Sequence, residues 1–111
     1  MRARRSKFGS IRTTVDGITF ASKAEARRYQ ELQMLVLAGE VSALVLQVPF
    51  ALTVPTPGAE VEIGVYVADF CYRSKRDGYV VEDVKGFKTP LYRWKKKHFE
   101  AQYDITILET Q

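Results

Sequence analysis

The chain has one cysteine, one histidine and one tryptophan in 111 residues. A single cysteine, Cys71, excludes an internal disulfide framework and fits a reducing, cytoplasmic setting. It reads as a small buried hydrophobe rather than a nucleophile, and the lone His98 as a packed core residue rather than a catalyst. One histidine beside one cysteine gives no zinc-site pattern. No apolar run approaches the roughly 20 residues that a membrane-spanning helix needs. The basic opening Met1-Arg2-Ala3-Arg4-Arg5-Ser6-Lys7 is not followed by the apolar core of a signal peptide. There is no internal repeat, low-complexity stretch or linker. What remains is the length of one domain, with 46% hydrophobic and 27% charged residues, ordinary values for a globular protein.

Seventeen basic against thirteen acidic residues give a formal charge of +4. The excess is modest, so its placement matters more than its size. Basic residues gather at the N-terminus, along the first expected helix, and from Lys85 to Lys97. A polyanionic partner is the natural inference, with nucleic acid ahead of a membrane surface. Arg27, Arg28, Lys88, Lys95, Lys96 and Lys97 are the candidate contacts. Charge alone equally fits a solubilising surface.

Residues 1–10 are expected to form a flexible basic tail and residues 11–111 a single domain. Asp16-Gly17 between Thr13-Thr14-Val15 and Ile18-Thr19-Phe20 is a strong hairpin signal. Ser22, with Glu25 three residues on, opens a helix as a capping box does, and Gly39 suits its end. Val41–Gln47 and Phe50–Val54 read as one long strand, bent or interrupted at Pro49. Val65–Tyr72 and Tyr79–Lys85 are β-branched and aromatic, and read as two strands of a hairpin. Thr89-Pro90 then starts a helix running to about Tyr103, with a short strand over Ile105–Leu108. The expected fold is α/β, a mixed sheet with helices against it, in the order α-β-β-β-α-β after an N-terminal hairpin.

The two hairpin strands carry Asp69, Asp83 and Lys85. Alternation puts Val65, Val67, Asp69 and Cys71 on one face, and Val81, Asp83 and Lys85 on one face of the next strand. A hairpin centred on Arg76 gives facing positions a constant sum of 152, which sets Asp69 opposite Asp83. Like charges so placed repel unless something joins them. Two carboxylates can share a hard divalent cation, and Lys85 lies close enough to polarise a water or neutralise a phosphate. The alternative is a solvated face with an ordinary salt bridge. Glu82 belongs by alternation to the opposite face, and replaces Asp83 only if a bulge intervenes. Glu25 is in helical register with Tyr29, Leu32 and Val36, at the end of a buried stripe where a spectator carboxylate is costly. On the second helix, Leu91, Trp94, His98, Phe99, Ala101 and Tyr103 form a broad apolar arc that includes Lys95, with Lys96 and Lys97 outward. Gln47 lies at the end of the first core strand, where its amide can reach the site or simply close the strand.

Glu25 on a first helix, Asp69 on a strand and Asp83-Val84-Lys85 on the next together resemble the PD-(D/E)XK nuclease superfamily. Val15-Asp16-Gly17-Ile18-Thr19-Phe20, Ser22-Lys23-Ala24-Glu25-Ala26, Tyr29-Gln30-Glu31-Leu32 and Val81–Gly86 resemble a family of small phage and prophage endonucleases, long catalogued as a domain of unknown function. The likeness spans about residues 12 to 109. It implies a restriction-endonuclease-like fold and Mg²⁺-dependent hydrolysis of DNA phosphodiester bonds, with Mn²⁺ as a substitute, in a bacterial cytoplasm as a host- or phage-encoded enzyme. Asp69 and Asp83 would hold the metal, Glu25 would assist through metal or water, and Lys85 would position the water or stabilise the transition state. Ala68 stands where the superfamily name has proline. So short a chain favours recognition of DNA shape, such as a Holliday junction, and two symmetric cuts call for a homodimer. A non-catalytic nucleic-acid-binding module on the same fold is the competing expectation, and an RNA-processing nuclease a third.

Overall fold

The computed structural model describes residues 11–111; the expected tail over residues 1–10 lies outside them. A two-residue turn at Asp16-Gly17, both at positive φ, joins β1 (Thr13–Val15) to β2 (Ile18–Phe20). This is the left-handed pair that an Asp-Gly hairpin demands. Ser22 caps α1 (Lys23–Leu37), its hydroxyl accepting from the Glu25 amide at 3.1 Å. Gly39 at φ +77 closes the helix. β3 (Val41–Pro55), β4 (Glu60–Ser74), β5 (Gly78–Val84) and β6 (Leu108–Thr110) form one sheet in that order. The first two pairings are antiparallel and the last is parallel, reached through α2 (Pro90–Tyr103). The chain is thus a mixed α+β protein with two helices, a four-stranded mixed sheet and a small separate hairpin.

The helices cover opposite faces of the sheet. Ala26, Tyr29 and Leu32 of α1 pack with Phe70, Tyr72 and Val84, while Tyr92 and Phe99 of α2 pack with Leu52, Tyr66, Ala68, Cys71 and Val81. The buried line of α2 differs from the expected arc: Leu91 and Trp94 are 60% and 46% exposed, and Ala101 is exposed. The helix is rolled so that Tyr92, Phe99 and Tyr103 face the sheet: Phe99 is buried in the core, and the two tyrosine hydroxyls find partners there. Tyr92 donates to Glu109 and Tyr103 to the Ala51 carbonyl, both at 2.7 Å. His98 does pack inward, its Nε2 2.8 Å from the Thr53 carbonyl.

Two strand expectations are corrected. The last strand begins at Leu108 rather than Ile105, since Ile105 and Ile107 serve the α2-side core and the Ile107 amide donates to the Glu100 side chain at 2.7 Å. Pro49 causes no interruption: it pairs with Val67 of β4, and its own strand β3 is the sheet's edge, where a missing N–H is tolerated. The break falls instead at Gln47, at φ +53. Leu44 and Leu46 pack with the α1-side core, whereas Val48, Phe50 and Leu52 pack with the α2-side core. The same switch occurs in β4, where Tyr66 and Ala68 are on the α2 side and Phe70 and Tyr72 on the α1 side. Val65, Val67, Asp69 and Cys71 therefore do not share a face; Val65 and Val67 are exposed and Cys71 is buried. The pleat of both strands reverses at the Gln47–Asp69 position.

Glu82 fixes α1 to the sheet. It is wholly buried among the α1-side residues and accepts from Arg28 Nε at 2.6 Å, Arg28 Nη2 at 3.1 Å, the Tyr72 hydroxyl at 2.6 Å and Thr110 Oγ1 at 2.9 Å. The carboxylate raises the Arg28 pKa above its ordinary value. Removing the cation alone leaves a buried, uncompensated charge. Arg28→Met is expected to cost about 3 kcal/mol in urea unfolding, with the added Glu82→Gln change recovering part of it. A cost near zero for Arg28→Met would show that the pair does not hold the helix.

Candidate active site

Asp69 occupies the reversed position of β4. The β4–β5 ladder runs from Ser74↔Gly78 to Phe70↔Glu82, the register expected from a hairpin centred on Arg76, with Gly78 closing the turn at φ +74. Beyond Glu82 the main-chain pairing stops. The Val84 amide donates instead to Asp69 Oδ2 at 2.8 Å, and the Lys85 amide to the Thr110 carbonyl of β6 at 2.9 Å. The two strands part here, and the side chains of their last residues fill the fork.

Asp83 is on the α2 side of β5 and 1% exposed. Its Oδ2 accepts from the Tyr66 hydroxyl at 2.7 Å. Its Oδ1 is buried with no hydrogen-bond donor. Lys85 Nζ stands 3.3 Å away as an ion-pair partner, attracted by charge but not aligned as a hydrogen bond. Burial, and then the Asp69 carboxylate, push the Asp83 pKa up to about 7, against the pull of Tyr66 and Lys85. In turn, burial and the Asp83 charge raise the Tyr66 hydroxyl far above its usual range.

Glu25 comes from the first turn of α1 and is 7% exposed. Burial, followed by Asp83, raises its pKa, while Lys85 and the Ala21 amide oppose the rise. Gln47 joins it to the strand: Nε2 donates to Glu25 Oε1 at 3.2 Å and to Asp69 Oδ1 at 3.3 Å. A cavity of about 690 Å³ opens over Ser22, Glu25, Asp69, Lys85, Thr89 and Tyr92. A second, of about 380 Å³, shares Glu25 and Asp69 and is walled by Arg12, Phe20 and Gln47. A third, of about 240 Å³, reaches Asp83 and Lys85 past Tyr66, Leu91 and Lys95. The Lys85 ammonium also lies 4.7 Å from the centre of the Tyr92 ring, a cation–π contact.

Glu25, Gln47, Asp69, Asp83 and Lys85 thus meet in one place. Glu82 does not: it is on the other face and fully hydrogen-bonded. Of the expected nucleic-acid contacts, Arg28 is committed to Glu82 and Glu31. Lys88 and Lys96 both hold Glu109 at 3.2 Å, so Lys96 turns toward the sheet rather than outward. Arg27 and Lys97 are exposed, and Lys95 is half-buried at the third cavity. Three neighbours were not foreseen. Tyr66 was readable only as a strand residue, although a buried tyrosine needs a hydroxyl partner. Tyr92 was hidden by an apolar count along α2, and Arg12 by its place outside the main elements.

No three acidic, histidine or cysteine side chains among the described residues form a ready cage for an ion. The set nevertheless fits Mg²⁺, which binds through one or two carboxylates and otherwise keeps waters and substrate phosphates. Asp69 and Asp83 would supply the carboxylates, and Asp83 Oδ1 is a buried oxygen that accepts no hydrogen bond and has the Lys85 ammonium beside it as an ion-pair partner.

The family described as Protein of unknown function (DUF1064) matches residues 5–109. No curated protein and no solved structure matches the chain. No helix among the described residues is long and apolar enough to cross a membrane.

The raised Asp83 pKa has a consequence for the metal-free protein. The folded state keeps a proton to about pH 7 that a free aspartate releases near 3.8. Its contribution to stability is full below the lower value and is lost as pH rises through the higher one. Glu25, also raised, acts in the same direction. In EDTA, the unfolding temperature is expected to fall between about pH 4 and about pH 7, and Asp83→Asn to flatten that fall. A wild-type profile already as flat as that of the variant would contradict the assignment.

Proposed function

The chain belongs to the DUF1064 family, and we propose that it is a metal-dependent endonuclease hydrolysing DNA phosphodiester bonds. One observation carries the reading: two carboxylates meet where β4 and β5 part, one with a buried oxygen that accepts no hydrogen bond, beside a lysine and a third carboxylate on an open cavity. The resemblance of Glu25, Asp69 and Asp83-Val84-Lys85 to the PD-(D/E)XK nucleases supports the same chemistry, and with it a restriction-endonuclease-like fold.

Asp69 and Asp83 would hold Mg²⁺ or Mn²⁺. Bound there, the ion supplies a Lewis acid for the phosphoryl oxygen and lowers the pKa of a water. The chain's own groups do the rest. The Val84 amide and Gln47 fix both oxygens of Asp69, leaving lone pairs for a ligand. Tyr66 anchors one oxygen of Asp83 and turns the other to the fork. Lys85 Nζ donates to the attacking water or to a non-bridging phosphate oxygen, where negative charge grows. Glu25, its proton affinity raised, orients that water and accepts its proton. Arg27, Lys95 and Lys97 draw in the backbone without reading sequence. Paired cuts in branched DNA such as a Holliday junction would need two copies of the site, hence a homodimer.

The test is incubation with supercoiled, linear, single-stranded and four-way-junction DNA, with Mg²⁺ or EDTA. Wild type is expected to cut only with the metal, and Asp69→Asn and Lys85→Ala to lose about 100-fold or more in rate. Cleavage that survives both substitutions would overturn this site. Salt-sensitive binding without cleavage of any substrate would instead make the protein a nucleic-acid-binding module.

A further inference from the structure

Two residues of β3 other than glycine have positive φ, and they differ in what explains them. At Ala43, φ +54, the register shifts by one between Ser42↔Arg73 and Val45↔Cys71, the mark of a β-bulge. At Gln47, φ +53, the register is the same on both sides, Leu46↔Phe70 and Val48↔Ala68. No extra residue is being accommodated there. Glutamine is also not among the residues that tolerate this region through a short side chain bonding locally. Backbone strain of this kind persists where the surroundings impose it, and it gathers at functional sites.

What the conformation achieves is the placement of one amide. It reverses the pleat, so Gln47 leaves the alternation of β3 and directs Nε2 between Glu25 Oε1 and Asp69 Oδ1, at 3.2 and 3.3 Å. These carboxylates come from a helix and from a strand, and the one Gln47 amide bonds both. Gln47 also lies against the second cavity, with Arg12 and Phe20. We propose that Gln47 is a positioning residue: its amide orients the Asp69 carboxylate for a divalent cation and holds the Glu25 carboxylate beside it, and the strained backbone is retained to aim it. The proposal rests on the nuclease reading of the site. Groups that orient the carboxylates of a metal site typically govern its affinity by 10–100-fold.

Gln47→Gly and Gln47→Ala separate the amide from the backbone. Both delete the amide, but only glycine adopts the positive φ without cost. In EDTA, Gln47→Gly should unfold at a higher temperature than Gln47→Ala. In calorimetric titration with Mn²⁺, both should bind about 10–100-fold more weakly than wild type, and to a similar extent. Wild-type Mn²⁺ affinity in either variant would overturn the positioning role, and restored affinity in Gln47→Gly alone would assign the effect to the backbone. Equal unfolding temperatures for the two variants would remove the strain argument and overturn the proposal in the form given. Wild-type protein that binds no Mn²⁺ would defeat the nuclease reading together with this inference, whereas wild-type binding with unchanged variants defeats this inference alone.

Discussion

The hydrogen bond from the Val84 amide to Asp69 Oδ2, at 2.8 Å, ends the β4–β5 ladder with a side chain where a carbonyl would otherwise stand. A strand amide left unpaired inside a protein is costly, so a strand that leaves its neighbour needs such a replacement. Because Asp69 provides it, β5 can turn away toward β6, where the Lys85 amide meets Thr110. The fork so created has room for Asp83 and Lys85 on one side and Glu25 on the other. The pleat reversal at Gln47 and Asp69 makes this possible. In a regular pleat, Asp69 would point out of one face of the sheet rather than along it toward the next strand.

Glu82 and Asp83 are adjacent, both buried, and treated in opposite ways. Glu82 receives a bidentate arginine, a tyrosine and a threonine. Asp83 receives one tyrosine and an ammonium that is not aligned to bond. Buried polar groups in native proteins are satisfied with few exceptions, and the exceptions call for an explanation. Here the exception lies one residue from a group satisfied four times over, within the same strand. Local packing quality therefore does not explain it. The position does, since Asp83 is the residue that faces the fork.

Much of this arrangement was legible in the sequence. The Asp-Gly turn, the Ser22 cap, the bounds of α2 and the register that brings Asp69 toward Asp83 each depend on local chemistry or on simple counting from a hairpin centre. Glu25 was legible through its place in a helical stripe. The reversal at Gln47 was not, because it is imposed from outside the strand: glutamine carries no preference for positive φ, and proline two residues later drew attention to the wrong bond. The roll of α2 was also hidden. Scoring Leu91 and Trp94 as apolar favours one face, but the tyrosine hydroxyls, which must find acceptors, decide for another. The role of Arg28 could not be read from charge clustering, since nothing local announces a partner fifty-four residues away.

The choice of charges on α1 bears on the site itself. One turn apart, the helix offers Arg28 to Glu82 and Glu25 to Asp83. The first pairing compensates a buried anion; the second adds another to it, and both carboxyl groups respond with raised proton affinity. With all three carboxylates ionised, Glu25, Asp69 and Asp83 against Lys85 leave a formal charge of −2 in the fork. A proton on Asp83 reduces this to −1, and a divalent cation cancels it. A helix that supplies an arginine to one strand residue and a glutamate to the next is built against its own stability at the second position. Such a conflict between local choices and the fold is expected where a site, rather than the core, sets the residue. On the proposed reading, the charge that resolves it is a divalent cation, which keeps coordination positions open where a fixed side chain would not.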